Sequence, residues 1–163
     1  NLIAILLTHG HFDHISGVDI LVEKYGCDLY MHEEEHHYLT EPGYNLSTMM
    51  PETVMIHSIP KSIELGKQII GPFEFSVLLT PGHTSHSIAF DFDNHIFDGD
   101  FIFAGSIGRT DFPTGSMAIM KDSIRKFHAI YKDLNPTLYP GHGPNTEYLH
   151  EVKINPYLLD TLK

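Results

Sequence analysis

The densest cluster of metal-binding side chains lies near the N-terminal end of the sequence. Three imidazoles and a carboxylate fall within the six consecutive positions from His9 to His14. They directly follow the apolar run Leu2–Leu7, which is typical of a buried strand. Imidazole nitrogen and carboxylate oxygen suit zinc, iron or manganese, and the single cysteine, Cys27, lies outside the cluster. The cluster therefore predicts a metal site at a strand end.

The spacing within this cluster supports ligation. In an extended segment side chains alternate between faces, so His9 and His11 are expected to point the same way. A turn through Phe12 then brings Asp13 and His14 to the neighbouring side. The alternative is a histidine-rich polar loop in a chain with 13 histidines. Chance enrichment would not place such a loop directly after a buried strand, which favours the ligand interpretation.

Three further potential ligands follow later β-like runs, each beside a glycine: His83 after residues 75–79, Asp100 after 95–97, and His142 after 137–139. Together with the first cluster they give seven candidates. Seven ligands are too many for one tetrahedral ion but suit two ions that share a carboxylate. The candidates for a two-metal site are His9, His11, Asp13, His14, His83, Asp100 and His142.

Hydrophobic periodicity predicts the elements that carry these residues. Apolar residues at helical spacing predict a helix from Ile15 to Tyr25 that stops at Gly26. Asp93-Asn94 predicts a hairpin turn between strands 87–92 and 95–97. A second helix is predicted over 117–132, with Ile119, Ile124, Phe127 and Ile130 facing inward. Further strands are predicted at 29–31, 63–65, 73–80 and 137–139.

Two other stretches are expected to have structural roles. Glu33, Glu34 and Glu35 open a short helix, and we expect them to form a solvated first turn because carboxylates are stabilised at the positive end of the helix dipole. The stretch 40–60 is broken by prolines and contains three methionines. We expect these to pack inside, with a cover over an acyl substrate as the alternative; they are Met49, Met50 and Met55.

Composition narrows the class of protein. With 163 residues and 42% hydrophobic content, the chain can bury a core, and we expect one domain over residues 1–163. The net charge of -11 argues against a nucleic-acid partner. No apolar run is long enough to predict a membrane span. One cysteine fits a reducing, cytoplasmic location. Because the chain runs from Asn1 straight into an interior-type strand, we expect residues to be missing upstream.

Four motifs in this order resemble the metallo-β-lactamase fold superfamily: T-H-x-H-x-D-H at 8–14, P-G-H-T at 81–84, G-D at 99–100, and P-G-H-G at 140–143. Within it, residues 105–112 and Asn155-Pro156 resemble the short, single-domain glyoxalase II-like (hydroxyacylglutathione hydrolase-like) enzymes. The resemblance implies an α/β fold, an αββα sandwich. Strands that the family places before the first motif are absent here, so the first strand is expected to form an unpaired sheet edge.

The resemblance also implies the ligand sets. His9, His11 and His83 are expected to hold one metal, Asp13, His14 and His142 the other, and Asp100 to bridge them. The implied cofactors are two divalent ions, zinc first, with iron or manganese as alternatives. The implied activity is hydrolysis of a thioester such as a hydroxyacylglutathione by a metal-bridging hydroxide, with Asp13 and Asp100 as catalytic ligands. Arg109 either meets a substrate carboxylate or pairs with Asp111.

Two alternatives stay open at this point. The Gly108–Phe112 loop also resembles persulfide dioxygenases, which use one iron held by two histidines and an aspartate, a set that His9, His83 and Asp100 could supply. The other alternative is a fragment that binds metal without turnover.

Overall fold

Two units make up the described part of the chain, residues 2–163, in this computed structural model. The first comprises the described residues up to Glu64 together with Ile69–Phe73, and the second comprises Leu65–Gln68 and Glu74–Lys163. Each unit has a hydrophobic core of its own. The expectation of one domain over residues 1–163 stays a prediction.

The first unit is a small parallel sheet with short helices. The strand order is β1-β2-β3, and all pairs are parallel. Within residues 2–163, β1 lies at an edge of this sheet, as the sequence predicted. In chain order the elements are β1 (Ala4–Leu6), α1 (Phe12–Ile15), α2 (Val18–Tyr25), β2 (Asp28–Met31), the 3₁₀ helices Glu33–Leu39 and Ser47–Met49, and β3 (Lys61–Ser62).

The core of the first unit brings the helices and the sheet together. Leu29 and Met31 from β2 pack with Ile15 from α1 and Val18 from α2. The single helix predicted from Ile15 to Tyr25 is two helices, because α1 ends at Ile15 and α2 starts after Gly17. The predicted stop is confirmed, since Gly26 adopts the left-handed conformation with φ of 61°. The strand expected at 63–65 lies instead at Lys61–Ser62.

The second unit contains a six-stranded mixed sheet and three helices. The strand order is β11-β10-β7-β6-β5-β4, with β10 parallel to β7. In chain order the elements are β4 (Gly66–Ile70), β5 (Phe73–Leu79), β6 (Ile88–Phe92), β7 (His95–Gly99), β8 (Ile102–Phe103), β9 (Ser106–Ile107), α3 (Met117–Tyr131), β10 (Thr137–Pro140), β11 (Thr146–Glu147), α4 (Tyr148–Ile154) and α5 (Pro156–Thr161). The turn of the β4–β5 hairpin is counted with the first unit.

The β6–β7 hairpin confirms the predicted turn. Asp93 and Asn94 both have positive φ, 54° and 67°, which is the conformation that a two-residue hairpin requires. This turn sets the register in which Phe92 lies opposite His95. From this turn β7 runs to Gly99, directly before Asp100.

Helix α3 forms where it was predicted, but its buried face differs from the predicted one. Ile119 and Ile130 are exposed, at 44% and 54% of their surface, so the prediction that they face inward was wrong. Residues at spacings of three and four make the buried stripe of this amphipathic helix. They are Met120, Ile124, Phe127 and Tyr131.

The three methionines of the 40–60 stretch are exposed rather than packed, at 65%, 43% and 47% for Met49, Met50 and Met55. Buried polar groups hold this stretch instead: the Asn45 side chain donates to the carbonyls of Tyr38 and Val54.

Among residues 2–163, every helix is too short or too polar to cross a membrane.

Candidate metal centre

The first four candidate ligands lie on the segment that joins β1 to α1. Helix α1 begins directly after His11, so Asp13 and His14 lie in its single turn. The backbone turns here because the amide of His14 donates to the carbonyl of His11, at 3.0 Å. His9 and His11 are buried, whereas Asp13 keeps 38% of its side-chain surface exposed.

The three imidazoles of this segment lie close to one another. The ring centroids of His9 and His11 are 4.8 Å apart, and those of His9 and His14 are 4.1 Å apart. The Nε2 atom of His14 lies 3.7 Å from the Oδ2 atom of Asp13. This part of the first unit therefore presents nitrogen and oxygen donors in one small region.

In the second unit, Asp100 lies between two histidines that come from distant parts of the sequence. Its Oδ2 atom is 3.3 Å from Nε2 of His83 and 3.6 Å from Nε2 of His142. Asp100 and His83 are largely buried, whereas 53% of the His142 side chain is exposed. One carboxylate oxygen thus lies close to two imidazole nitrogens, so all three groups could contribute to a metal site.

The backbone fixes the orientation of His83. Its Nδ1 atom lies 2.7 Å from the carbonyl oxygen of Arg109. Because a carbonyl can only accept a hydrogen bond, Nδ1 carries the proton, and Nε2 keeps its lone pair for a metal. A side chain at Gly82 would collide with the backbone of Met120, so only glycine lets α3 approach this close to the residue before His83.

Asp98 is a second acidic residue of this region but is not among the candidate ligands of the described chain. It is buried, and its Oδ2 atom accepts a hydrogen bond from the amide of Ile102 at 3.0 Å. Burial raises the pKa of Asp98 well above its usual value, and the nearby Asp100 acts in the same direction. This hydrogen bond ties the start of β8 to the end of β7.

Arg109 forms the ion pair that was one of its two predicted roles. Its guanidinium makes two hydrogen bonds to Asp111, of 2.9 and 2.8 Å, and lies over the ring of Phe112. The arginine lowers the pKa of Asp111. Both charged side chains remain about two-thirds exposed, so Arg109 is accessible to an anionic ligand.

All seven residues that the sequence proposed as ligands belong to His- and Asp-rich groups that could hold a metal ion. The donor set fits the expected cofactors, because it consists only of imidazole nitrogen and carboxylate oxygen, as zinc, iron and manganese prefer. The seven are His9, His11, Asp13 and His14 in the first unit, and His83, Asp100 and His142 in the second.

Comparison with known proteins identifies the family. A family model described as the metallo-beta-lactamase superfamily matches residues 1–142 of the 163. This chain belongs to the metallo-β-lactamase superfamily. The predicted α/β fold of that superfamily is confirmed. The prediction that the chain is a metallo-hydrolase is confirmed as well.

Two relatives in the metallo-β-lactamase superfamily cover nearly the whole chain. "Probable metallo-hydrolase YqgX" of Bacillus subtilis is 35% identical over 162 residues, which span 96% of this chain and 75% of the relative. "Hydroxyacylglutathione hydrolase GloC" of Haemophilus influenzae is 32% identical over 173 residues, 97% of this chain and 76% of the relative.

Two solved structures of the superfamily have a similar fold. The crystal structure of the BLEG-1 B3 metallo-beta-lactamase has a TM-score of 0.89 and 34% identity. The match covers 96% of this chain and 77% of the BLEG-1 chain. The crystal structure of TTHA1623 in a di-iron-bound form has a TM-score of 0.84 and 30% identity. The match covers 97% of this chain and 78% of the TTHA1623 chain.

Proposed function

We propose that this chain is a binuclear metal-dependent hydrolase of thioesters such as a hydroxyacylglutathione. In this proposal His9, His11 and His83 hold one ion, and Asp13, His14 and His142 hold the other. Asp100 is the shared ligand. When bound, two divalent ions supply Lewis acidity toward a carbonyl and lower the pKa of a bound water molecule toward about 7.

The position of Asp100 is the observation that carries this proposal. Its Oδ2 atom faces the Nε2 atoms of both His83 and His142, the two histidines of the second unit that are assigned to different ions. A carboxylate shared by two ions would lie beside histidine ligands of each ion, as Asp100 lies beside these two. The di-iron-bound state of TTHA1623, at 30% identity, supports a two-metal site and leaves iron as an alternative to zinc.

The residues around the ligands have separate tasks. The carbonyl of Arg109 holds His83 in the tautomer whose Nε2 atom can ligate. The exposed guanidinium of Arg109 is available for a carboxylate of the thiol carrier, although Asp111 competes for it. The similarity to GloC, which is named a hydroxyacylglutathione hydrolase, supports a glutathione thioester as the substrate.

Metal analysis together with parallel assays tests this proposal. The protein is purified without added metal, its metal content is measured by mass spectrometry, and lactoylglutathione hydrolysis is followed by loss of the thioester absorbance. We expect two ions per chain and hydrolysis that ceases when the metal is chelated. One iron per chain with oxygen uptake on glutathione persulfide would instead support the dioxygenase alternative. Bound metal without turnover of either substrate would support a non-catalytic fragment.

Hydrolysis of a β-lactam is a second candidate, because the chain is 34% identical to the BLEG-1 B3 metallo-beta-lactamase. The same metal-assisted attack on a carbonyl would also hydrolyse the strained cyclic amide of a β-lactam. A chromogenic cephalosporin in the same assay separates the two. A higher kcat/KM for the cephalosporin than for the thioester would favour the lactamase function.

A further inference from the structure

The 3₁₀ helix Glu33–Leu39 buries a carboxylate beside the first group of ligands. Glu33 and Glu34 are exposed, as expected for a solvated first turn, but Glu35 is fully buried. The prediction was therefore wrong for Glu35. In a 3₁₀ helix residues three apart lie on the same face, so Glu35 and Tyr38 point together toward the protein interior.

Both side chains contact the peptide between two ligands. The amide of Gly10 donates to the Oε2 atom of Glu35 at 3.3 Å. A side chain at Gly10 would overlap the Cβ atom of Tyr38, so Gly10 lets the helix lie directly against the ligand segment. The ring of Tyr38 also lies beside His11, with centroids 6.0 Å apart.

A second set of hydrogen bonds ties the same helix to the other side of His11. The side-chain amide of Asn45 donates to the carbonyl of Tyr38 at 2.9 Å. The carbonyl of Asn45 in turn accepts from the amide of Phe12 at 2.8 Å. The segment from Gly10 to Phe12 is thus held at both ends, by Glu35 and by Asn45.

We propose that Glu35 is a positioning residue for the metal centre, which fixes the peptide between His9 and His11 so that both imidazoles face one ion. This rests on the metal site of the proposed function. Burial of a carboxylate is unfavourable unless its oxygens accept hydrogen bonds, and Glu33 and Glu34 of the same helix avoid that cost. Partners that orient ligands typically change metal affinity 10- to 100-fold when they are removed.

Three variants and a matched control test this role. Glu35→Ala removes the acceptor, Glu35→Gln keeps an acceptor oxygen at the same reach, and Glu35→Asp keeps the charge but shortens the side chain. Glu34→Ala, on the exposed side of the same helix, is the control. The readouts are zinc affinity by competition with a chromophoric chelator, the absorption spectrum of the cobalt-substituted protein, and the melting temperature of the metal-free protein.

We expect Glu35→Ala and Glu35→Asp to weaken zinc binding by about 10- to 100-fold and to change the cobalt spectrum. Glu35→Gln is expected to stay within about threefold of the parent, because its amide oxygen still accepts the Gly10 hydrogen bond. Glu34→Ala should leave all three readouts unchanged. The metal-free melting temperatures of Glu35→Asp and the parent should agree.

Parental zinc affinity in Glu35→Ala or Glu35→Asp would overturn the inference. So would equal losses in Glu35→Gln and Glu35→Ala together with a lower metal-free melting temperature, because that pattern describes a purely structural residue. If Glu35→Ala does not fold, the comparison of Glu35→Asp with Glu35→Gln decides. A parent that binds zinc but hydrolyses no thioester would refute the proposed function alone, since zinc affinity still reports on Glu35.

Discussion

At the residue scale, the negatively charged carboxylate of Asp100 lies where the two proposed ions would share a ligand. One carboxylate oxygen lies within 3.6 Å of two imidazole nitrogens from different loops. An amide in its place keeps the size of the side chain but loses the negative charge that both ions would share. The effect of that change should therefore appear in the metal count as well as in the rate.

We expect Asp100→Asn to lower kcat/KM at least about 100-fold, with loss of bound metal, because it weakens the shared ligand. Steady-state kinetics and metal analysis check this result. Asp93→Asn is the control, since Asp93 is exposed in the β6–β7 turn and asparagine tolerates its positive φ. Full metal content and normal turnover in Asp100→Asn would contradict the bridging role.

Arg109 combines a backbone and a side-chain role that mutation can separate. Its carbonyl accepts from His83 whatever the side chain is, so Arg109→Gln should leave metal content unchanged. We expect KM for lactoylglutathione to rise about tenfold with little change in kcat, because a contact made equally in the ground and transition states is lost. Arg125→Gln, on the exposed side of α3, is the control. An unchanged KM would limit Arg109 to its ion pair with Asp111.

At the element scale, α2 is anchored to a distant loop by one carboxylate. Asp19 in its first turn accepts hydrogen bonds from the amides of His57 and Ser58, both at 2.9 Å, and from the Ser58 hydroxyl at 2.6 Å. Partial burial opposes ionisation of Asp19, but these hydrogen bonds outweigh it and lower its pKa below 3.8. The ionised carboxylate therefore stabilises the fold.

We expect Asp19→Asn to lower the free energy of unfolding by about 1 to 2 kcal/mol at neutral pH. Because the folded-state pKa is lowered, this contribution is fully present above 3.8 and is lost as the pH falls through the folded-state pKa. The parent and the variant should therefore converge in stability in acid. Urea unfolding at pH 7 and near pH 3 measures this, with the exposed Glu23→Gln of the same helix as control. A constant difference across this range would exclude the linkage.

At the scale of the whole molecule, each unit has its own core and its own ligands. Leu29 and Met31 belong to the core of the first unit, and Ile96 and Leu138 to that of the second. Four of the proposed ligands lie in the first unit and three in the second. In the proposed function, bound metal should contribute to stability as well as to activity.

Removal of metal should lower the melting temperature of the whole chain. An ion present at about 1,000 times its Kd stabilises by about 4 kcal/mol, which corresponds to about 8 to 16 °C for a chain of this size. Calorimetry before and after chelation measures the shift, and added zinc should restore it. Asp100→Asn should show a smaller shift. Identical melting curves with and without metal would contradict a metal site that involves the folded chain.

Local sequence determined much of this protein. The hairpin at Asp93-Asn94 depends on two adjacent residues that accept positive φ, and the end of α2 depends on Gly26, so both could be predicted without any distant contact. The segment from His9 to His14 is also local: six consecutive positions carry four proposed ligands, and their residue types alone indicate metal.

Tertiary structure decided what depends on contacts between distant residues. The carboxylate of Glu35 is buried because its helix packs against Gly10, 25 positions earlier in the chain, and nothing in its own segment distinguishes it from Glu34. Likewise the buried face of α3 is set by the sheet it packs on, so Ile119 is exposed while Met120 is buried. Residue types determined which chemistry is available, whereas packing determined which side chains are held in place to perform it.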